Sequence, residues 1–283
     1  MKRDIVFTAV PPPKTWSRVR IRRRADEIAG IVRRTGIRKV SIPEAVREKR
    51  VGDRVVAVRK KVDSLEFGRI LKEMDPHLDI IVNRNVPLME KEEFEKWIGE
   101  LSKEFDSVAL VGAESSRGNY PGYSVIEATY IAKKFVKNIY GITIFHREKE
   151  GERLLKKSLA GMDYFFSQIV FDAEDIFRTL EEYYMLCERS GIKPAKIYIS
   201  VAPISRVRDM EFLRRFRVKI PSSMEERILR SPDRALELSL EAIFNLLNQV
   251  VKRGFDTGIN VEHVMMNNMK PAEELIRRIL EIR

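Results

Sequence analysis

The sequence predicts a (β/α)8 barrel formed by a single domain of residues 1–283, and two observations predict this fold. First, eight short apolar runs each precede a longer amphipathic segment, and this alternation indicates parallel strands covered by helices. Second, 283 residues is close to the size at which eight such units close a barrel. A doubly wound open sheet is the alternative, but no G-x-G-x-x-G turn follows the first strand, as a dinucleotide-binding fold would require.

The predicted strands are short runs rich in β-branched and aromatic residues. The first run stops at Pro11, Pro12 and Pro13, because proline has no N–H to donate to a sheet ladder. Active sites of such barrels lie where strands end and loops begin, so we expect these prolines to wall the mouth of the site. The eight predicted strands cover residues 5–10, 39–45, 78–85, 107–113, 141–147, 163–171, 196–204 and 258–266.

The predicted helices follow the strands and repeat apolar residues at helical spacing. The first begins near Trp16, and the segment between the second strand and the second helix is predicted to be a polar loop. Cys187 lies in a helical pattern and is expected to pack as a small hydrophobe. The helical segments are, in order, WSRVRIRRRADEIAGIVRR, SLEFGRILKEM, KEEFEKWIGELSKEF, SVIEATYIAKKFV, GERLLKKSLAG, AEDIFRTLEEYYMLCERSG, MEFLRRF with ALELSLEAIFNLLNQVVKRG, and PAEELIRRILEI.

The formal net charge of +11 favours an anionic partner. Nucleic acid, phosphate-bearing cofactors and polycarboxylate substrates all satisfy this condition. The densest basic run lies on the first helix, from Arg18 to Arg24, and is interpreted as a solvated face because no RNA-binding aromatic motif or recognition-helix pattern accompanies it. Nucleic acid is therefore not the expected partner.

Composition also bears on compartment and cofactors. The chain has one cysteine and three histidines, which exclude an intrachain disulfide and show no metal-ligand spacing. No apolar run approaches the length of a membrane span, and no signal-peptide core is present. We therefore expect a cytoplasmic protein. A homo-oligomer is a separate expectation. Abundant Lys, Arg and Glu with little Gln and Cys suggest a thermophile.

Polar residues at the predicted strand ends are the candidate site residues, since the mouth of a barrel is built there. Gln168 stands out because it interrupts the apolar run FFSQIVF, and a buried amide needs partners that a ligand could supply. For others a structural role is open: Asp172 as a helix cap and His263 as a packed core residue. The strand ends also carry Glu44, Asn83, Arg84, Asn85, Gly112, Glu114, His146, Glu262, Asn267 and Asn268.

Residues 150–221 resemble methylenetetrahydrofolate reductase, a flavin-dependent (β/α)8 barrel. The family carries a pattern close to L-K-x-K-x-x-A-G-A-D, then T-Q-x-F-F-D, P-I-x-P-I, L-x-R-F and Ile-Pro. Here the chain reads LLKKSLAGMDYFFSQIVFD and then SVAPISRVRDMEFLRRFRVKIP. Weaker matches are FTAVPPPKT to the family's F-E-F-F-P-P-K-T, LVGA to its L-R-G-D, and MNN to its L-N-R.

The resemblance implies roles for individual residues. Gln168 matches the glutamine that hydrogen-bonds the pterin, and Phe171 and Asn267 fall with it in the substrate site. The residues implied to contact the flavin, either FAD or FMN, are Gly112, His146, Lys156 and Lys157.

Two departures concern the chemistry. The family's general acid, the glutamate of F-E-F-F-P-P, is replaced by Ala9, or by Thr8 after a one-residue slip. The aspartate of L-R-G-D is replaced by Ala113. The hypothesis at this point is that Glu44 or Glu114, the nearest strand-end carboxylates, serves as the acid.

The resemblance thus implies an oxidoreductase that reduces a methylene-tetrahydropterin to the methyl form with NAD(P)H through a bound flavin. The substrate would be a folate or an archaeal-type pterin. Three alternatives stay open: direct hydride transfer without flavin, a non-catalytic pterin-binding or accessory member, and nucleic-acid binding through the first helix.

Overall fold

A closed barrel of eight parallel strands is the centre of the fold, which confirms the predicted class. The computed structural model describes residues 4–44, 48–51, 54–57, 60–113, 119–263 and 268–281. The barrel strands are β1 Ile5–Ala9, β2 Lys39–Ile42, β5 Asp79–Asn85, β6 Ser107–Val111, β7 Asn138–Thr143, β8 Tyr164–Ser167, β9 Lys196–Val201 and β10 Thr257–His263. Their order around the barrel is β1-β10-β9-β8-β7-β6-β5-β2.

The first helix begins and ends where capping chemistry predicts. Ser17 accepts a hydrogen bond from Arg20 N at the start of the first helix, and Gly36 ends it in the left-handed conformation. The helices are α1 Arg18–Thr35, α2 Ser64–Met74, α3 Lys91–Leu101, α4 Val125–Ala132, α5 Glu150–Ala160, α6 Glu174–Arg189, α7 Val207–Arg215, α8 Ser222–Arg230, α9 Ala235–Lys252 and α10 Met269–Glu281.

Several predicted segments differ from the structure. Strand β8 ends at Ser167 instead of residue 171, and helix α8 was not predicted. The predicted polar loop contains an antiparallel hairpin, β3 Glu48–Val51 and β4 Arg54–Ala57. Strand β7 begins at Asn138 and ends at Thr143 instead of covering 141–147, because Asn138 N already bonds to Asp106 O at 2.9 Å. His146 therefore lies in the turn after the strand.

The three prolines form a paired extended segment. Pro13 forms a bridge with Lys61, Lys14 N donates to Lys60 O at 2.9 Å, and Val62 N donates to Pro12 O at 2.9 Å. The prolines take part only as acceptors, which their missing N–H permits. The rigid end of the first strand is thus held by the chain that leads into α2.

Contacts within the chain divide it into two compact units. The N-terminal unit comprises residues 7–142 and 156–165, and the C-terminal unit comprises residues 1–6, 143–155 and 166–283. Fully buried aromatic side chains fill both, such as Phe67 and Phe94 in the first and Tyr183 and Tyr198 in the second. Cys187 is fully buried, as expected of a packed hydrophobe. Among the described helices, none is both long and apolar enough to span a bilayer.

Candidate functional site

In the C-terminal unit, strands β9 and β10 and the end of β8 present a layered face. Successive side chains of a strand point to opposite faces, so Gly258, Asn260 and Glu262 share one face of β10. The register pairs Gly258 with Tyr198 and Asn260 with Ser200 on β9. A Cβ atom added to Gly258 would lie 2.5 Å from Cε1 of Tyr198. Glycine is required at position 258 because the Tyr198 ring fills the space that a side chain would occupy. The polar residues of this face, Asn260 and Ser200, lie further along the two strands toward their C-terminal ends.

The polar layers are joined into one hydrogen-bonded chain. Nδ2 of Asn260 donates to Ser200 Oγ at 2.9 Å and to Oε1 of Glu262 at 3.2 Å. The N–H of Ser200 donates to Ser167 Oγ at 2.8 Å, and Ser167 Oγ donates to the main-chain oxygen of Gln168 at 2.8 Å. Because Asn260 and Ser200 are almost fully buried, this chain ties the ends of β8, β9 and β10 together.

Glu262 is the acidic member of this chain, and it is partly buried. Burial raises the pKa of Glu262 to about 7, and a hydrogen bond from Ser200 acts in the opposite direction. No Lys, Arg or His among the described residues forms an ion pair with it. The carboxyl is thus poised to exchange a proton near neutral pH.

Gln168 lies directly after β8, and it is partly buried. Its main-chain N–H donates to Thr143 O at 2.8 Å, which continues the sheet ladder by one residue. Its side-chain Nε2 donates to Phe216 O at 2.8 Å. No hydrogen bond reaches its Oε1 from the described residues, so the amide is oriented by one end and presents an acceptor at the other.

Phe171 lies apart from the hydrogen-bonded chain. Its side chain is buried and lines a cavity of about 200 Å³ together with residues of α8 and α9, among them Met224, Leu238 and Leu246. Gln168 does not line this cavity. The predicted substrate role of Phe171 therefore stays a prediction that this cavity does not support.

Glu44 takes part in an ion-pair network of the N-terminal unit. Its Oε1 accepts from Arg84 Nη1 at 2.9 Å and its Oε2 accepts from the N–H of Asn85 at 2.5 Å. Arg84 is buried, with 8% of its side chain exposed, and also bonds to Asp63 at 3.2 Å. Its guanidinium lies 4.4 Å from the Trp97 ring centroid. A carboxylate that accepts on both oxygens serves to neutralise Arg84, which favours a structural role over proton donation.

The residues that the resemblance implies for flavin binding do not form a phosphate-binding site among the described contacts. In the N-terminal unit, Lys157 Nζ donates to the main-chain oxygen of Ile142 at 2.6 Å, while Lys156 is exposed on α5. A Cβ at Gly112 would lie 3.2 Å from a methyl group of Val125. His146, in the C-terminal unit, is exposed. Their cofactor role stays a prediction.

Two predicted site residues, Glu114 and Asn267, lie outside the described residues. For two other residues the structure supports the structural role over the catalytic one. His263 is fully buried, and Asp172 Oδ1 accepts from the N–H of Glu174 at 3.1 Å at the start of α6.

Glu262 lies at a predicted strand end, but the sequence alone assigns it no role. The available signal was a charged residue on the same face as Gly258 and Asn260.

The basic run of α1 is largely occupied by partners within the protein. Arg22 pairs with Glu73 at 2.8 Å, Arg24 pairs with Glu27 at 3.1 Å, and the guanidinium of Arg20 lies 3.7 Å from the Trp16 ring centroid. These contacts favour a structural, solvated face over a nucleic-acid interface.

Comparison with known proteins gives one family match. The family model described as methylenetetrahydrofolate reductase matches residues 146–282, which confirms the resemblance for the second half of the chain. No curated protein sequence is matched.

Among solved structures, the chain is similar to an uncharacterized protein from Clostridium thermocellum that binds two copies of 5-methyl-5,6,7,8-tetrahydrofolic acid. The TM-score is 0.80 at 19% identity, over 100% of this chain and 96% of that one. It is also similar to the long-chain alkane monooxygenase LadA, with a TM-score of 0.59 at 11% identity over 99% and 91% of the two chains.

A third similar structure is the oxygenating constituent of 3,6-diketocamphane monooxygenase from Pseudomonas putida, in complex with FMN. Its TM-score is 0.64 at 11% identity, over 99% of this chain and 98% of that one. At these identities the three likenesses show the fold alone.

Proposed function

We propose that this chain, whose residues 146–282 match the methylenetetrahydrofolate reductase family, reduces a methylene-tetrahydropterin to its methyl form with NAD(P)H. The observation that carries the proposal is the Gln168 side chain, which is fixed by Phe216 O and leaves Oε1 open to a ligand. It stands where the resemblance implies the pterin-binding glutamine. A pterin ring edge offers N–H donors that such an oxygen can accept.

Two further observations support a reduced folate or related pterin as the ligand. The protein from Clostridium thermocellum, which shares the fold, binds 5-methyl-5,6,7,8-tetrahydrofolic acid. The net charge of +11 would favour a ligand with glutamyl carboxylates and a nicotinamide cofactor with phosphates.

The path of the hydride has two versions within this proposal. In the first, Gly112, Lys156 and Lys157 would hold a flavin, FAD or FMN, which would supply hydride-transfer chemistry; the family resemblance and the FMN-containing barrel neighbour support this version. In the second, the hydride passes directly from the nicotinamide, which the engaged Lys157 ammonium supports. A visible spectrum of purified protein, followed by anaerobic NADH, separates them: a yellow chromophore that bleaches requires the first version, and a colourless, active protein requires the second.

Gln168→Leu is expected to raise the dissociation constant for 5-methyltetrahydrofolate by roughly tenfold or more, because losing a hydrogen bond to a partly buried group costs about 1–3 kcal/mol. Isothermal titration calorimetry measures this change. The matched control is Gln249→Leu, which alters the other glutamine of the chain at an exposed position on α9 and is expected to leave binding unchanged.

Equal binding by wild type and both variants would remove Gln168 from the site. A wild-type protein that binds no reduced folate and oxidises no NAD(P)H in the presence of methylenetetrahydrofolate would contradict the proposed function itself.

A non-catalytic pterin-binding protein is the second candidate, and the replacement of both usual carboxylates by Ala9 and Ala113 favours it. The same experiments separate the two. Binding of 5-methyltetrahydrofolate without any substrate-dependent oxidation of NADH or NADPH would select this candidate over the reductase.

A further inference from the structure

We infer that Glu262 is the proton donor of the reductive step, in the place of the strand-1 glutamate that this chain lacks. This inference rests on the proposed function, which it deepens. It assigns the acid to β10, whereas the sequence suggested Glu44 or Glu114.

Position is the first support for this assignment. Glu262 is the penultimate residue of β10 and shares the inner face with Asn260 and Gly258. Barrel active sites lie at this end of the strands. The hydrogen-bonded chain through Asn260, Ser200 and Ser167 connects Glu262 to Gln168, the proposed pterin ligand. The acid and the pterin-orienting amide are therefore held by one polar network within one unit.

Hydrogen bonding separates Glu262 from Glu44. Both oxygens of Glu44 accept hydrogen bonds, one from Arg84 and one from a main-chain N–H. Glu262 instead receives its hydrogen bonds from neutral side chains, Asn260 and Ser200. The hydrogen-bond partners of Glu262 therefore carry no charge, whereas Glu44 is held in an ion pair.

Charged groups on β9 and α7 have other partners, although the buried Oδ1 of Asp209 has none among the described residues. Lys196, at the start of β9, pairs with Asp4 at 3.1 Å. His263 follows Glu262 but lies on the opposite face of β10 and is fully buried. Asp209, near the start of α7, is held by Ser205 and Asn268. Burial therefore dominates, and it raises the pKa of Glu262 to about 7, which suits a general acid at neutral pH.

The carboxyl of Glu262 transfers its proton to the amine nitrogen at the outer end of the methylene bridge. The bond between that nitrogen and the methylene carbon breaks, and its electron pair stays on the nitrogen. A hydride supplied by NAD(P)H then adds to the methylene carbon, which becomes the methyl group, and the nicotinamide is oxidised. Water returns a proton to the Glu262 carboxylate.

Glu262→Gln tests the assignment, because glutamine keeps the shape and the hydrogen bonds but cannot donate the proton. We expect kcat for methylenetetrahydrofolate reduction to fall by roughly 10²–10⁴-fold, with the dissociation constant for 5-methyltetrahydrofolate within about threefold of wild type. Glu262→Asp, which keeps an acid, is expected to restore part of the loss. Far-ultraviolet circular dichroism checks that both variants are folded.

The pH profile is the second readout. Because the acid must be protonated, wild-type kcat/KM is expected to fall about tenfold per pH unit above a pKa of about 7. Glu262→Gln is expected to lose this dependence. Glu188→Gln, at an exposed position of α6, is the control and should keep both the rate and the profile.

Different results would overturn the role of Glu262 and the proposed reductase activity. An active wild type whose Glu262→Gln variant keeps kcat within about threefold, or keeps the pH profile, overturns the role of Glu262 and leaves the reductase intact. A wild type that binds 5-methyltetrahydrofolate but never oxidises NADH or NADPH overturns the reductase and this proton donor together.

Discussion

Gly122→Ala is expected to lower the free energy of unfolding by about 3 kcal/mol, at the upper end of the usual cost of overpacking. A Cβ atom at Gly122 would overlap with the main-chain oxygens of Val86 and Met89 and lie 3.1 Å from the carbonyl carbon of Pro87. These atoms belong to the backbone of the turn after β5, so a change of rotamer cannot relieve the clash. The Gly122 N–H also donates to Pro87 O at 3.1 Å, and this hydrogen bond holds the backbone of Gly122 against the turn after β5.

The neighbouring contacts explain why the loop cannot simply move away. Tyr123 donates its hydroxyl to Glu95 at 2.5 Å, and its ring meets Phe94 edge-on at 6.0 Å between centroids. The hydrogen bond to Glu95 raises the pKa of Tyr123 to about 12, which shows how firmly the hydroxyl proton is held. Tyr123, the residue after Gly122, is therefore docked on α3.

Urea denaturation of Gly122→Ala measures the effect, with Gly99→Ala as the matched control. Gly99 lies inside α3, where an added Cβ would be 3.8 Å from the Phe135 ring, an ordinary contact. Alanine has the higher helix propensity, so the control is expected to gain about 0.5–1 kcal/mol. A Gly122→Ala protein within about 1 kcal/mol of wild type would contradict the close approach to the turn.

Glu44→Ala is expected to cost about 2 kcal/mol of stability, because among the described residues it leaves Asp63 as the one charged partner of the buried Arg84. Removing one member of a buried pair typically costs about 3–5 kcal/mol, and the partial exposure of Glu44, 26% of its side chain, reduces this figure. The N–H of Asn85 also loses its acceptor. Thermal and urea denaturation measure the loss.

The control for this variant is Glu104→Ala. Glu104 pairs with Arg69 at 2.7 Å, but both side chains are more than 40% exposed, and such pairs contribute about 0–1 kcal/mol. Arg84→Met combined with Glu44→Ala should be less destabilised than the sum of the single variants, because the two residues act as a pair. A Glu44→Ala protein of unchanged stability that has lost catalysis more than a hundredfold would instead restore Glu44 as the acid.

The barrel could be predicted from the sequence because its strands are buried on both faces. Such strands are apolar nearly throughout and differ visibly from the amphipathic helices between them. Gln168 could be singled out for the same reason, since an amide inside an apolar run needs a specific partner. The hairpin of β3 and β4 was missed because its sequence, EKRVGDRVVA, is polar and too short to show a clear alternation.

The pairing of Glu44 with Arg84 could not be predicted, because it joins residues 40 positions apart. It depends on β2 and β5 being neighbours, with Ile42 opposite Val82, and that pairing is decided only when the barrel closes. The same applies to Phe171, whose side chain packs toward α8 and α9.

The amino-acid sequence alone determined the fold class, the likeness to the methylenetetrahydrofolate reductase family and the position of Gln168, because each depends on patterns local to the chain. Only the tertiary structure decided which carboxyl is paired and which is not. Partners from strands distant in sequence make the difference: Glu44 accepts from a buried arginine of β5, whereas Glu262 accepts from Ser200 of β9 and from Asn260 of its own strand.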